Sequence, residues 1–144
     1  PGDIIAVSVG TYNENIVIKP GVSIFGGYSI DFRESKYQTA AERINPVYQT
    51  ILEGSYTGTN TSDDPTRVIY ADGSTTATVR KSQVNSIIQG FTINGKTSGD
   101  YTAVLFFKDG ASPQIQYNTI NGGTGTTISY GISNVNSCSP TIKK

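Results

Sequence analysis

The chain has 144 residues and a formal net charge of zero, because 11 Lys and Arg balance 11 Asp and Glu, and charged residues make up only 15% of it. This balance argues against nucleic acid or an anionic membrane as a partner, and no apolar run approaches the ~20 residues that would cross a bilayer. The absence of histidine excludes imidazole chemistry, and the single cysteine excludes an intrachain disulfide and a thiolate zinc site.

Short runs of β-branched and aromatic residues, bounded by Gly, Pro, Asn and Asp, follow one another along the chain and predict strands. The predicted strands are Ile4–Ser8, Ile16–Ile18, Val22–Phe25, Thr50–Leu52, Arg67–Ala71, Ala77–Arg80, Ile87–Ile93, Ala103–Phe107, Gln114–Tyr117 and Ser129–Ser133. A helical turn is predicted only within Glu34–Arg43, and Pro46 closes it. We interpret two segments, near 29–49 and 55–66, as loops inserted between strands.

An internal repeat indicates how these strands are arranged. Phe91–Gly95 recurs as Asn118–Gly122, and Ser112–Ile115 recurs as Ser139–Ile142. Positions 95 and 122 are 27 residues apart, and so are positions 112 and 139. Two different landmarks with the same offset indicate a structural unit of about 27 residues that contains about three short strands.

Such a period is typical of a parallel β-solenoid, in which each coil lies about 4.8 Å from the previous one. Val22–Gly27 and Gln49–Gly54 are looser upstream copies of the repeat. Equivalent side chains of neighbouring coils should stack, and the asparagines should form an amide ladder. The expected stacks are Ile93 over Ile120, Ile115 over Ile142, and Asn94 over Asn121.

Four stretches of the sequence carry a family resemblance: Gly10–Ile16 (GTYNENI), Lys19–Gly27 (KPGVSIFGG), Ile88–Ile93 and Ser112–Gly122. They resemble the right-handed parallel β-helix superfamily, which includes pectate lyases and many bacterial surface proteins. The resemblance covers nearly the whole chain apart from the two inserted loops. It implies an all-β fold, a right-handed single-stranded parallel β-helix of roughly five coils. We expect one domain over residues 1–144, cut from a longer chain, because the sequence starts and stops abruptly.

Carboxylates are the first candidates for chemistry. Asp63 and Asp64 lie beside Asn60 in a Thr-rich loop and offer oxygen ligands for calcium, although the same composition is typical of an exposed loop. Asp72 and Asp100 are separated by about one coil, which would allow them to stack as a hydrolase pair, although each is also a typical turn residue. No constellation is convincing enough to assign a catalytic residue.

Tyrosines are the second group of candidates. Tyr28, Tyr37, Tyr48 and Tyr56 surround the two inserted loops. Exposed tyrosines contact glycans or proteins through their rings and hydroxyls, whereas buried ones would pack over the end of the solenoid. The candidate binding residues are therefore Tyr37, Tyr56, Asn60, Asp63 and Asp64.

The sequence predicts a non-catalytic extracellular or cell-surface module that acts as a scaffold, an adhesion surface or an assembly surface. Its open strand edges suggest that it self-associates end to end. The alternatives are a polysaccharide lyase or glycoside hydrolase of the β-helix type, or a carbohydrate-binding module. The expected partners are a glycan, a protein surface or copies of the chain itself. No cofactor is expected, calcium at Asp63 and Asp64 being the one candidate.

Overall fold

The strands of the chain are short and numerous. The computed structural model describes residues 2–32, 46–54, 59–74, 86–95, 99–123 and 126–144. Within these ranges it contains no α-helix, only a 3-10 turn at Pro46–Tyr48, and no helix there is long and apolar enough to span a membrane. The strands are β1 (Asp3–Ser8), β2 (Gly10–Tyr12), β3 (Ile16–Ile18), β4 (Val22–Tyr28), β5 (Thr50–Leu52), β6 (Thr66–Asp72), β7 (Ile87–Gln89), β8 (Phe91–Asn94), β9 (Tyr101–Lys108), β10 (Gln114–Gln116), β11 (Thr119–Asn121), β12 (Ile128–Val135) and β13 (Thr141–Lys143).

These strands form three parallel sheets that the chain visits in strict rotation. Sheet A has the order β1-β4-β7-β10-β13, sheet B the order β2-β5-β8-β11, and sheet C the order β3-β6-β9-β12. From β4 onwards, every strand pairs with the strand that occupied the same sheet one round earlier. The chain therefore completes four rounds, and β13 begins a fifth. The protein is all-β, as predicted, with its parallel strands in three sheets.

The stacking predicted from the repeat is confirmed. Ile120 pairs with Ile93, and Ile142 pairs with Ile115. The Asn121 side-chain amide donates a 2.8 Å hydrogen bond to Asn94 Oδ1. The 27-residue repeat therefore corresponds to one round of the three sheets in the second half of the chain.

Two predictions about the strands were wrong. Ile87–Ile93 is not one strand, because Gly90, with a φ of 79°, turns the chain between β7 and β8. Val22–Gly27 and Gln49–Gly54 are not copies of one unit, because β4 belongs to sheet A and β5 to sheet B. The second round is lengthened by insertions, so that Ser23 lies beside Ile87 and a 27-residue offset has no structural meaning there. The predicted strand Ala77–Arg80 and the turn within Glu34–Arg43 lie outside the described residues.

A column of five isoleucines runs through the core along sheet A. In pairing order it consists of Ile5, Ile24, Ile88, Ile115 and Ile142. The middle three are 4%, 0% and 2% exposed, whereas the first is 52% and the last 64% exposed. Each of the three inner isoleucines is covered by the rounds on both sides, whereas each of the two outer isoleucines has a paired round on one side only. We call this set the isoleucine column.

A glycine follows sheet B in three successive rounds. Gly54, Gly95 and Gly122 each stand two residues after a paired core position, Leu52, Ile93 or Ile120. A methyl group added at Gly54 would lie 1.9 Å from the carbonyl oxygen of Glu14, and one at Gly95 would lie 2.5 Å from the backbone nitrogen of Gly123. At Gly54 and Gly95 the backbone of a neighbouring segment passes too closely for any side chain, whereas the Gly122 position is open towards the described residues.

Candidate functional site

The loop that carries three of the predicted binding residues is tied to the sheets. Asn60 Oδ1 accepts a 2.9 Å hydrogen bond from the backbone N–H of Tyr101, at the start of β9. Asn60 has a φ of 57°, a conformation that asparagine tolerates better than most residues. Its amide therefore anchors the loop. Tyr37 and Tyr56, the other two predicted binding residues, lie outside the described residues.

Both carboxylate oxygens of Asp64 accept hydrogen bonds from neighbouring residues. Oδ1 accepts a hydrogen bond from the Arg67 guanidinium, and Oδ2 accepts the backbone N–H of Thr59 at 2.9 Å. The hydrogen bond from Arg67, then that from Thr59, lowers the pKa of Asp64. Asp63 beside it is exposed. A calcium ion here would compete with Arg67 for Asp64, and the calcium site stays a prediction.

The lowered pKa of Asp64 predicts a pH-dependent contribution to stability. A carboxylate of this kind stabilises the fold above its usual pKa of 3.8 and loses that effect as the pH falls through its folded-state value. Asp64→Asn should therefore lower the free energy of unfolding by about 1 kcal/mol at neutral pH, with the deficit shrinking in acid. Urea denaturation at several pH values measures both effects. Asp63→Asn is the control, and a deficit for Asp64→Asn that persists unchanged in acid would refute the ion pair.

The sequence did not reveal an aromatic and cationic group on the face of sheet C. The rings of Tyr70 and Phe106, which pair across β6 and β9, stack with centroids 5.8 Å apart. The Arg67 guanidinium carbon lies 4.3 Å from the centroid of the Tyr70 ring, within cation–π range. Arg67 thus joins the anchored loop to the stacked rings.

Asp72 and Lys108 continue this group at the end of the same two strands. The Tyr70 hydroxyl donates a 2.7 Å hydrogen bond to Asp72 Oδ2, and Lys108 Nζ lies 3.5 Å from the same oxygen. Burial opposes ionisation of Asp72, but hydrogen bonds from Ser74 and Tyr70 and the charge of Lys108 outweigh it and lower the pKa of Asp72. We call Arg67, Tyr70, Asp72, Phe106 and Lys108 the sheet C cluster.

An open groove with a volume of about 310 Å³ borders the cluster. Residues Val17 to Pro20 form one wall, and Tyr70, Asp72 and Ser74 form the other. The lining includes the apolar residue Val17, the carboxylate residue Asp72 and the amine residue Lys19, and this combination suits a small polar ligand. Burial, followed by the hydrogen bond to Asp72, raises the pKa of Tyr70, so that the phenol keeps its proton and supplies no phenolate to act as a base.

The proposed stacking of Asp72 and Asp100 is wrong. Asp72 pairs with Lys108, the last residue of β9, whereas Asp100 immediately precedes the first residue of that strand. The two carboxylates therefore lie at opposite ends of sheet C. Among the described residues, no three acidic, cysteine or histidine side chains are grouped closely enough to hold a metal ion.

The period-two pattern of a strand places Tyr70 and Asp72 on one face, and this signal was present in the sequence. The sequence did not indicate that Phe106 lies beside Tyr70, because positions 70 and 106 are separated by more than the 27-residue repeat.

The geometry defines an all-β protein with three parallel sheets and a polar groove on one of them. A comparison with family models finds no match, and comparisons with curated proteins and with solved structures find none either.

Proposed function

We propose that the chain forms a right-handed parallel β-helix that serves as a non-catalytic scaffold, an adhesion surface or an assembly surface at the cell surface or outside the cell. The rotation through three parallel sheets supports the β-helix. The right hand is that of nearly all crossovers between parallel strands. The extracellular or surface location rests on the sequence resemblance alone.

One observation carries the scaffold role: polar side chains at the corners bond to the equivalent residues of the next round. Asn121 bonds to Asn94, the Asn136 amide donates a 2.8 Å hydrogen bond to Asp109 Oδ1, and the Ser139 backbone N–H donates to the Ser112 hydroxyl at 3.0 Å. A catalytic centre needs polar groups that converge on one point. The corner groups named above do not converge in this way, because they are spread along the stack and hold neighbouring rounds together.

The test is incubation with a panel of acidic and neutral glycans, with and without calcium, followed by mass spectrometry of the products. We expect no shortened or unsaturated product under either condition. Cleavage that disappears in Asp63→Ala or Asp64→Ala would contradict the scaffold proposal and favour a lyase or hydrolase. Calcium-dependent cleavage would also support the predicted calcium site.

Glycan binding without turnover is a second candidate, favoured by the groove beside the sheet C cluster. The carboxylate of Asp72 can accept hydrogen bonds from sugar hydroxyls, and the apolar side chain of Val17 can pack against the apolar face of a sugar ring. Glycan-array binding that is lost in Asp72→Asn and kept in Asp63→Asn would favour this candidate. Equal binding by both variants would place the contact elsewhere.

A further inference from the structure

A row of hydroxyl side chains crosses sheet C near the start of its strands. Thr66 of β6 pairs with Thr102 of β9, and Thr102 pairs with Ser129 of β12. The Thr102 hydroxyl donates a 3.0 Å hydrogen bond to Ser129 Oγ, and the Ser129 hydroxyl donates to the carbonyl oxygen of Gly123. Because Gly123 lies between β11 and β12, this last bond spans the corner between sheets B and C.

The Thr66 hydroxyl, at the other end of the row, has no such partner. Thr66 is only 4% exposed, and its Oγ1 forms no hydrogen bond with any residue in the described part of the chain. Thr50 is also buried, but its hydroxyl donates to the carbonyl oxygen of Ser8 at 2.9 Å. Native proteins rarely leave a buried hydroxyl unsatisfied, because the lost hydration is not recovered. The Thr66 hydroxyl therefore calls for a partner from outside the described residues.

The same hydroxyl-bearing residue lines a small cavity at the corner between sheets B and C. The volume of the cavity is about 10 Å³, which is the space that one water molecule needs and too little for a larger ligand. Val68 and Val104 form an apolar part of its wall, and Gly54, Gly95 and Gly123 also line it. Because glycine has no side chain, these three residues can present only backbone atoms. Their peptide groups are the further partners that a buried water requires.

We propose that one structural water molecule occupies this cavity and bonds to Thr66 Oγ1 and to the backbone of the glycine corner. In the fourth round, Ser129 spans the corner directly through its bond to Gly123. In the second round, the water completes the corresponding connection from Thr66. The inference concerns the stability of the stack and does not depend on the scaffold role.

The first test is a high-resolution crystal structure of the wild-type chain. We expect density for one ordered water within hydrogen-bonding distance of Thr66 Oγ1. Thr66→Val keeps the shape of the side chain and removes the hydroxyl, so the density should be absent from that variant. An empty cavity in the wild type, or a water that remains in the variant, would overturn the proposal.

The second test is the direction in which Thr66→Val changes the equilibrium constant for folding, measured by urea denaturation. If the hydroxyl were unsatisfied, its removal would raise the constant, because a buried group without a partner is lost. If the hydroxyl holds a water, its removal should lower the constant about fivefold, because that water loses a partner. An unchanged or raised constant contradicts the proposal.

Two further variants serve as controls. Thr50→Val makes the same chemical change at a buried threonine whose hydroxyl is bonded to the protein, so it should lower the folding constant and leave the water in place. Thr66→Ser keeps the hydroxyl and should also retain the water. Loss of the water from either folded control would mean that Thr66 does not hold it, and the proposal would fail.

Discussion

Ile88→Ala should lower the free energy of unfolding by about 3–4 kcal/mol. Ile88 is the middle rung of the isoleucine column and is fully buried, with Ile24 on one side and Ile115 on the other. Removing three carbons there loses apolar burial and leaves a cavity. The neighbours cannot close it readily, because their backbones are fixed by parallel pairing on both sides.

The matched control is Ile142→Ala, which makes the same chemical change at the exposed end of the same column. The removed atoms are largely in water there, so the expected loss is below about 1 kcal/mol. Urea denaturation followed by circular dichroism measures both values. Equal losses for the two variants would mean that the column is not stacked in the order described.

Gly54→Ala should cost about 3 kcal/mol or prevent folding, which makes it the second large effect. The new methyl carbon would lie 1.9 Å from the Glu14 carbonyl oxygen and 2.2 Å from its carbon. Both are backbone atoms, so no side-chain rotation relieves the overlap. The two segments would have to move apart, which disturbs the pairing of β2 with β5.

Gly122→Ala provides the control for this effect at the equivalent corner. Among the residues that the structure describes, none has an atom within 4 Å of the position where its methyl group would be placed. The substitution should change the free energy of unfolding by less than about 0.5 kcal/mol. Thermal melts of the two variants and wild type are sufficient to compare them. A stable Gly54→Ala protein would contradict the close approach at this corner.

The period of the sequence was enough to predict which residues stack in the last two rounds, because no insertion interrupts the chain there. Ile93 over Ile120 and Asn94 over Asn121 followed from counting alone. The strands β2, β11 and β13 were not predicted. Short polar segments such as Gly10–Tyr12 become strands because a neighbouring round offers them hydrogen bonds, and that cause is not visible in local propensity.

Less of the candidate site than of the fold could be predicted from the sequence. The short loop that joins Asn60, Asp63 and Asp64 was recognised because the three are close in sequence. The stacking of Arg67, Tyr70 and Phe106 depends on the register of β6 against β9. Inserted residues separate these strands by an irregular interval, so neither the repeat nor any local motif could predict the contact.

The rotation of the chain through three sheets has a mechanical consequence. The first and last strands, β1 and β13, lie at opposite edges of sheet A, so tension between the two termini acts across the strands. Hydrogen bonds loaded in this direction break one row at a time, as in a zipper. A released round of 27 residues, as in the second half of the chain, would extend to about 90 Å. The stack would therefore yield in steps at modest force and lengthen many-fold before its last round is lost.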